Sequence, residues 1–478
     1  MATATVPVTD ALDPRIPPVR RAESRRQRRE LWHIAAVAIV WGTSLVIVAI
    51  WLGGGGAQAV LGPAPDALNS LGRLAGLVAA NLMLYQVLLM ARVPVFERGF
   101  GRAGITRLHR AAGFWSFWLM LLHIALLVVG YALGATVSPL SQLLEFVVAY
   151  PWMWLAGIGT LLLILVVATS IRAARRRGSY ERWYLIHLLA YVGVFTAVPH
   201  MLANGVDFTS SAAAAIYWWG LWIATVAAVL VFRVAAPVVR SAQHRLRVVA
   251  VEPDGVGGVA VRMRGQHLHR LGTEAGQFFH WRFLHGREVL ESHPYSLAAA
   301  PSANEFTIAV KVVGDGTARV ASLPVGTRVA FEGPFGTMTG AARQGHALLM
   351  FGAGAGVAPL IALLESEPYV AGDAVLVTRD HSPASRMRSG QIGRLVTTRK
   401  VRHFTLDGPR ARRGASWLPT GHENWDGAAA IRALAQGIAL DDADVFLCGP
   451  DPWVRALERD LARAGVARDR IHSESFAH

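Results

Sequence analysis

One cysteine, Cys448, stands in a chain of 478 residues. That excludes an intrachain disulfide and a cysteine-ligated iron–sulfur cluster, which takes up to four thiolates. Charge is scarce as well. Charged residues make up 17% of the chain against 53% hydrophobic residues, a departure from globular averages in the direction of membrane proteins. The net charge of +15 would ordinarily raise nucleic acid as a partner. Its distribution excludes that class: seven arginines sit between Arg15 and Arg29, and others cluster where apolar runs end. No zinc finger, RNP motif or recognition helix accompanies them.

The apolar excess lies almost entirely between Leu31 and about Val239. Six runs, near 31–52, 70–91, 108–130, 151–171, 183–203 and 213–234, reach the roughly 20 residues a bilayer span needs. Lys and Arg are missing from the segments near 53–69, 131–150 and 204–212. The alternate segments carry Arg92, Arg98, Arg102 and Arg107, then Arg172, Arg175, Arg176, Arg177 and Arg182. The positive-inside rule then places both termini in the cytoplasm of a multi-pass plasma-membrane protein in contact with lipid. Ala57-Gln58-Ala59 resembles a signal-peptidase site, but the first run is too long for an ordinary signal peptide and is read as a retained span. The expected order is a basic tail (1–30), a six-helix membrane domain (31–240) and a soluble half.

Four of the 17 histidines fall in two of these runs. His109 and His123 are 14 apart on the third, and His187 and His200 are 13 apart on the fifth. Fourteen residues is nearly four turns, so the first two share a face about 21 Å apart along the axis. Both helices start in the cytoplasm, which sets His109 against His187 near the inner surface and His123 against His200 near the outer. Thirteen residues fits less well, leaving His200 about 140° round from His187 on a straight helix. Pro199 precedes His200, and the sequence predicts a distortion there that turns His200 back toward the bundle axis.

A single intramembrane histidine is as well explained by an interhelical hydrogen bond. Two pairs at matching depths are not. Imidazole ligates haem iron, zinc or copper. Two stacked levels without carboxylate or thiolate suit bis-histidine haems, which serve electron transfer. Phe114, Trp115, Phe117, Trp118, Trp183, Tyr184 and Tyr191 crowd the same helices, but interface belts and packing account for most such aromatics.

Residues 241–342 read as short strands broken by glycines, which predicts a small antiparallel β-barrel. It contains His293-Pro294-Tyr295-Ser296, then Lys311 leading to Gly314-Asp315-Gly316-Thr317. Residues 343–478 alternate strand and helix, an α/β nucleotide-binding pattern. The buried strand Ala347–Phe351 runs into Gly352-Ala353-Gly354-Ala355-Gly356-Val357-Ala358-Pro359. Glycines at such a turn let backbone N–H groups approach a pyrophosphate, although this spacing is not G-x-G-x-x-G. The next strand ends at Thr378-Arg379. An arginine there suits the 2′-phosphate of NADPH, while Asp380 directly after it keeps NADH open. A later strand ends in Cys448-Gly449-Pro450.

Histidines at these spacings followed by these motifs resemble the ferric reductase and NADPH oxidase superfamily, over essentially residues 31–478. The resemblance implies two b-type haems in the membrane and a ferredoxin–NADP reductase-like soluble half. It implies FAD held by His293, Pro294, Tyr295 and Ser296, with Tyr295 against the isoalloxazine, Ser296 near flavin N5 and His293 toward the phosphates. Lys311, Gly314, Gly316 and Thr317 would support the FAD pyrophosphate and adenine side. Gly352, Gly354, Gly356 and Pro359 would form the nucleotide loop, with Cys448, Gly449 and Pro450 near the nicotinamide. Phe476 matches a terminal aromatic that covers the flavin, although Ala477 and His478 follow it. Ser296, Cys448 and Phe476 are thus the expected catalytic residues.

The implied activity carries electrons from cytoplasmic NADPH to an external acceptor. Ferric iron or a ferric chelate is the first expectation; reduction of oxygen to superoxide and transfer to an extracytoplasmic partner protein stay open. A non-enzymatic bundle that has lost its cofactors is disfavoured by the intact motifs. Arg107 or Arg110 could meet inner haem propionates. The outer segments offer only groups such as Asn204, Ser210 and Ser211.

Overall fold

The computed structural model describes residues 18–173, 180–209, 211–289, 291–410, 416–422 and 424–476. The basic tail through residue 17, Arg175, Arg176, Arg177, Ser210, Ala477 and His478 lie outside the described residues. The chain forms two compact units, Glu30–Val234 and a second made of Met1–Arg29 with Ala235–His478.

The first unit is helical. Its elements are α1 (Pro18–Gly53), α2 (Gly56–Val60), α3 (Ala64–Met90), α4 (Pro94–Ala135), α5 (Pro139–Ala149), α6 (Met153–Ala173), α7 (Tyr180–Asn204), α8 (Val206–Thr209) and α9 (Ala212–Ala228). Among the described residues six helical stretches are long and apolar enough to cross a membrane: Glu30–Gly53, Ala64–Met90, Gly104–Ala135, Met153–Ile171, Trp183–Asn204 and Ala212–His244. The protein is an integral membrane protein. Prolines occupy the first turns of α3, α4 and α5, where a missing N–H costs nothing and the fixed φ favours a helix start.

Two backbone features shape the bundle. Gly101 leaves helical geometry at φ 65° and ψ 167°, so the inner stretch of α4 bends away from the span that carries His109 and His123. Pro199, by contrast, lies inside α7, and α7 runs through it to Asn204. The helix is continuous through the proline. Small residues bring backbones together. A β-carbon at Gly159 of α6 would lie 2.6 Å from the Gly193 carbonyl of α7.

The second unit begins with α10 (Ala236–His244) and continues as strands. Two three-stranded antiparallel sheets follow: β1 (Arg247–Pro253), β2 (Gly258–Arg264) and β5 (Glu305–Lys311) in one, and β4 (His293–Ser296), β3 (Phe278–Phe283) and β6 (Val329–Phe335) in the other. Alternate residues of β3 point inward, so Phe279, Trp281 and Phe283 are fully buried. Isolated bridges at Arg247–Arg328 and Leu297–Ile308 link the edges of these two sheets, and their inward side chains share one core. One bridge joins the first residue of β1 to the residue before β6, the other the residue after β4 to the middle of β5. The helix α11 (Asp315–Ala321) packs beside them.

The remaining residues form a parallel sheet in the order β11 (Ile471–Phe476), β10 (Ala443–Pro450), β7 (Ala347–Ala353), β8 (Ala374–Asp380), β9 (Arg402–Asp407). Helices α12 (Val357–Ser366), α13 (Ser389–Arg399), α14 (Gly427–Leu434) and α15 (Asp451–Ala464) complete it. Strands β7, β8 and β10 are buried on both faces, as parallel strands covered by helices must be. Strand order runs outward from β7 in both directions, leaving a switch point between the carboxyl ends of β7 and β10, where open α/β sheets bind ligands.

Candidate functional site

In the helical unit His109 of α4 and His187 of α7 come together. The His109 and His187 rings face each other with centroids 6.2 Å apart and planes at 66°. Two imidazoles bonded to one metal through nitrogens about 2 Å away place their ring centres about 6 Å apart, so this spacing admits a shared iron. His200 lies within electrostatic reach of His123.

The supporting groups suit ligation. His123 Nδ1 donates to the Gly72 carbonyl at 2.8 Å, which leaves Nε2 with its lone pair. His187 Nδ1 lies 3.3 Å from Ser170 Oγ, and Trp183 stacks on the His187 ring at 5.0 Å. Metal-binding histidines are oriented by partners of this kind at their second nitrogen. The Nδ1 atoms of His109 and His200 are buried without a hydrogen-bond partner. Space for His123 depends on a glycine: a β-carbon at Gly76 would lie 2.5 Å from its Nδ1. Neither Gly72 nor Gly76 was distinguishable in sequence, since glycine is frequent in membrane helices.

The segments near 53–69, 131–150 and 204–212 lack Lys and Arg, yet an arginine lies close by within α3. Arg73 of α3, next to Gly72, makes a two-pronged bond to Asp207 of α8: Nε to Oδ2 at 2.7 Å and Nη2 to Oδ1 at 2.5 Å. Asp207 is 4% exposed. Arg107 and Arg110 are exposed.

In the second unit, the two segments expected to hold FAD do meet. His293 stacks on Tyr295 with ring centres 5.9 Å apart, and its Nε2 contacts Glu288 Oε2 at 2.5 Å. Burial and the nearby Glu288 raise the Tyr295 pKa. Arg319 of α11 binds the same buried Glu288 and also Glu291. A β-carbon at Gly316 would lie 3.6 Å from His293 Cε1. Thr317 Oγ1 accepts from the Val313 and Gly314 N–H groups, shaping the turn into α11. Glu288, Glu291 and His293 bring their ligand atoms within 4.8 Å of one another, but Arg319 already supplies the countercharge. The cluster is an ion-pair network.

The nucleotide loop sits at the switch point. Gly354 has φ +55°, and a β-carbon at Gly356 would strike the Cys448 carbonyl. These glycines let β7, α12 and the end of β10 close up, with Pro359 buried in the first turn of α12. Beside them is a cavity of about 550 Å³, lined in part by Gly354, Asp380, Pro450, Trp453 and Phe476. Lys311 lines it too, with Nζ 3.8 Å from where a β-carbon at Gly354 would lie. Thr378 is buried and bonds His403 Nε2 at 2.9 Å. Arg379 borders the cavity, but its guanidinium donates to the carbonyls of Asp380, Leu406, Gly408 and Pro409. Burial lowers its pKa. Burial pushes the neighbouring Asp380 up to about 6, partly offset by Arg386.

Glu474 is a residue the sequence did not single out. It pairs with Cys448 across β10 and β11. Burial pushes its carboxyl up to about 7, and burial followed by Glu474 raises the Cys448 thiol, which therefore is no thiolate at neutral pH. Glu474 Oε1 would lie 2.5 Å from a β-carbon at Gly336, and Phe278, the strand partner of Ser296, flanks the same glycine. The Ser296 and Cys448 segments thus converge on one spot.

Residues 75–198 match the family described as ferric reductase like transmembrane component. Over these residues the helical unit is similar to that family. It is 29% identical over 253 residues to the ferredoxin reductase component of 3-ketosteroid-9-alpha-monooxygenase from Mycolicibacterium smegmatis, covering 52% of this chain and 65% of that protein. It is 26% identical over 205 residues to the flavohemoprotein of Bordetella pertussis, covering 39% of this chain and 48% of that one. The chain thus spans less than two thirds of each of these relatives. A ferredoxin NADP+ reductase from Neisseria gonorrhoeae with bound FAD and NADP superposes with TM-score 0.40 at 18% identity, over 48% of this chain and 97% of that one.

Proposed function

We propose that the protein passes electrons from cytoplasmic NADPH or NADH, by way of FAD and two b-type haems, to an acceptor outside the plasma membrane, with ferric iron or a ferric chelate as the acceptor. The observation that carries this reading is the two histidine pairs on α4 and α7, one of them with ring centres 6.2 Å apart. His109 with His187 would hold the inner haem and His123 with His200 the outer. His293, Tyr295, Ser296 and the Gly314–Thr317 turn would hold FAD, which when bound converts two-electron hydride chemistry into one-electron transfer.

The chain's own residues have defined tasks. Gly352, Gly354 and Gly356 open the backbone at the start of α12 to a pyrophosphate. Phe476 and Trp453 line the cavity. Glu474, poised near neutrality, can hold or release a proton beside Cys448. At the end of β8, Asp380 suits a ribose 2′-hydroxyl, while Arg379 is held by carbonyls.

The test follows NAD(P)H oxidation in membranes containing the full chain, without oxygen and with or without ferric chelate. Chelate-dependent turnover supports the proposal. Turnover that requires oxygen and releases superoxide would replace the acceptor with oxygen, and absence of a reduced b-type absorbance would remove the haem assignment altogether.

A further inference from the structure

The Arg73–Asp207 pair has no place in the electron path just described, yet it is the buried ion pair nearest the outer histidines in sequence. Arg73 follows Gly72, whose carbonyl takes the His123 Nδ1 proton. Asp207 lies seven residues beyond His200, on the short helix α8 that continues from α7. The bidentate bond between them therefore ties the strut that orients one outer histidine to the chain that carries the other. Phe208, next to Asp207, is stacked on the buried Trp218 of α9 with ring centres 4.4 Å apart. Both belong to a core with Ile47, Trp51, Leu77 and Leu84, so α8 is seated rather than loose. Gly54, at the outer end of α1, covers the pair: a β-carbon there would lie 3.3 Å from Asp207 Oδ1.

We infer that Asp207, acting through Arg73, is a positioning residue that holds the outer pair, His123 and His200, at ligating distance. The inference rests on the proposed bis-histidine function. A buried aspartate with a two-pronged arginine is costly to desolvate and strongly disruptive when one partner is lost. Rigid geometry is what such a pair supplies. Loss of a group that supports a metal ligand lowers affinity about 10–100-fold, and here the loss falls on the outer level alone.

The test measures haem per full-length chain in purified, detergent-solubilised protein. Asp207→Asn is placed in a His109→Leu background, which keeps only the outer level, and in a His123→Leu background, which keeps only the inner. Expected is loss of most haem in the first and retention in the second, with Asp207→Glu restoring binding in the first. In the otherwise unchanged chain, Asp207→Asn should also remove or shift one of two low-spin ferric resonance signals. Unchanged haem in the His109→Leu background, or equal losses in both, would overturn the inference. Absence of haem from the unsubstituted chain would instead sink the functional reading on which it rests.

Discussion

In the helical unit, four histidines come from two helices, and their partners are a backbone carbonyl, a serine and neighbouring rings. In the second unit, the cavity is assembled from the ends of strands, a glycine turn and residues from both of its sheet systems. A helix fixes positions 14 apart by its own pitch, so few contacts are needed to align a level. A switch-point cavity depends instead on several backbones approaching one another. The first arrangement should fail one ligand at a time, the second through crowding.

The largest expected effect breaks the first arrangement. His123→Leu should remove the outer haem signal and external acceptor reduction while NAD(P)H-dependent flavin reduction continues, read by difference spectra. Loss of flavin reduction as well would show that the halves are not modular. Next is crowding in the second. Gly356→Val should abolish nucleotide-dependent flavin reduction and cost about 1–3 kcal/mol by overpacking, measured by thermal unfolding. Gly76→Ala applies the same crowding in the membrane and should lower outer haem content without touching flavin chemistry.

A smaller effect separates the units by pH. Glu474 has a folded pKa of about 7 against an ordinary 4.5. Its neutral form supports the fold fully below about pH 4.5, and that support is lost as pH rises through about 7. The loss amounts to about 3 kcal/mol. Glu474→Gln should flatten the pH dependence of flavin-reported unfolding; an unchanged slope would assign the dependence elsewhere. The smallest is Asp380→Asn, expected to shift the NADPH-to-NADH ratio of kcat/KM a few-fold toward NADPH. A shift toward NADH would return the choice to Arg379.

The histidine pairs were legible because intramembrane polar groups are few and helical pitch is fixed. The six spans followed from run length. Less legible was whatever depends on partners distant in the chain. Arg73 and Asp207 are 134 residues apart, and nothing local marks them as neighbours. Lys311 was read with the Gly314–Thr317 turn, and its place at the end of β5, lining the same cavity as the nucleotide loop, was not visible in the sequence. Arg379 was read from its position at a strand end; where its guanidinium points is decided by the carbonyls of a loop near residue 408.

The close approach of Gly159 and Gly193 has one more consequence. Gly193 falls almost midway between His187 and His200, so α6 touches α7 at a fulcrum. A helix held there would pivot about that contact, so a tilt that widened one histidine pair would narrow the other.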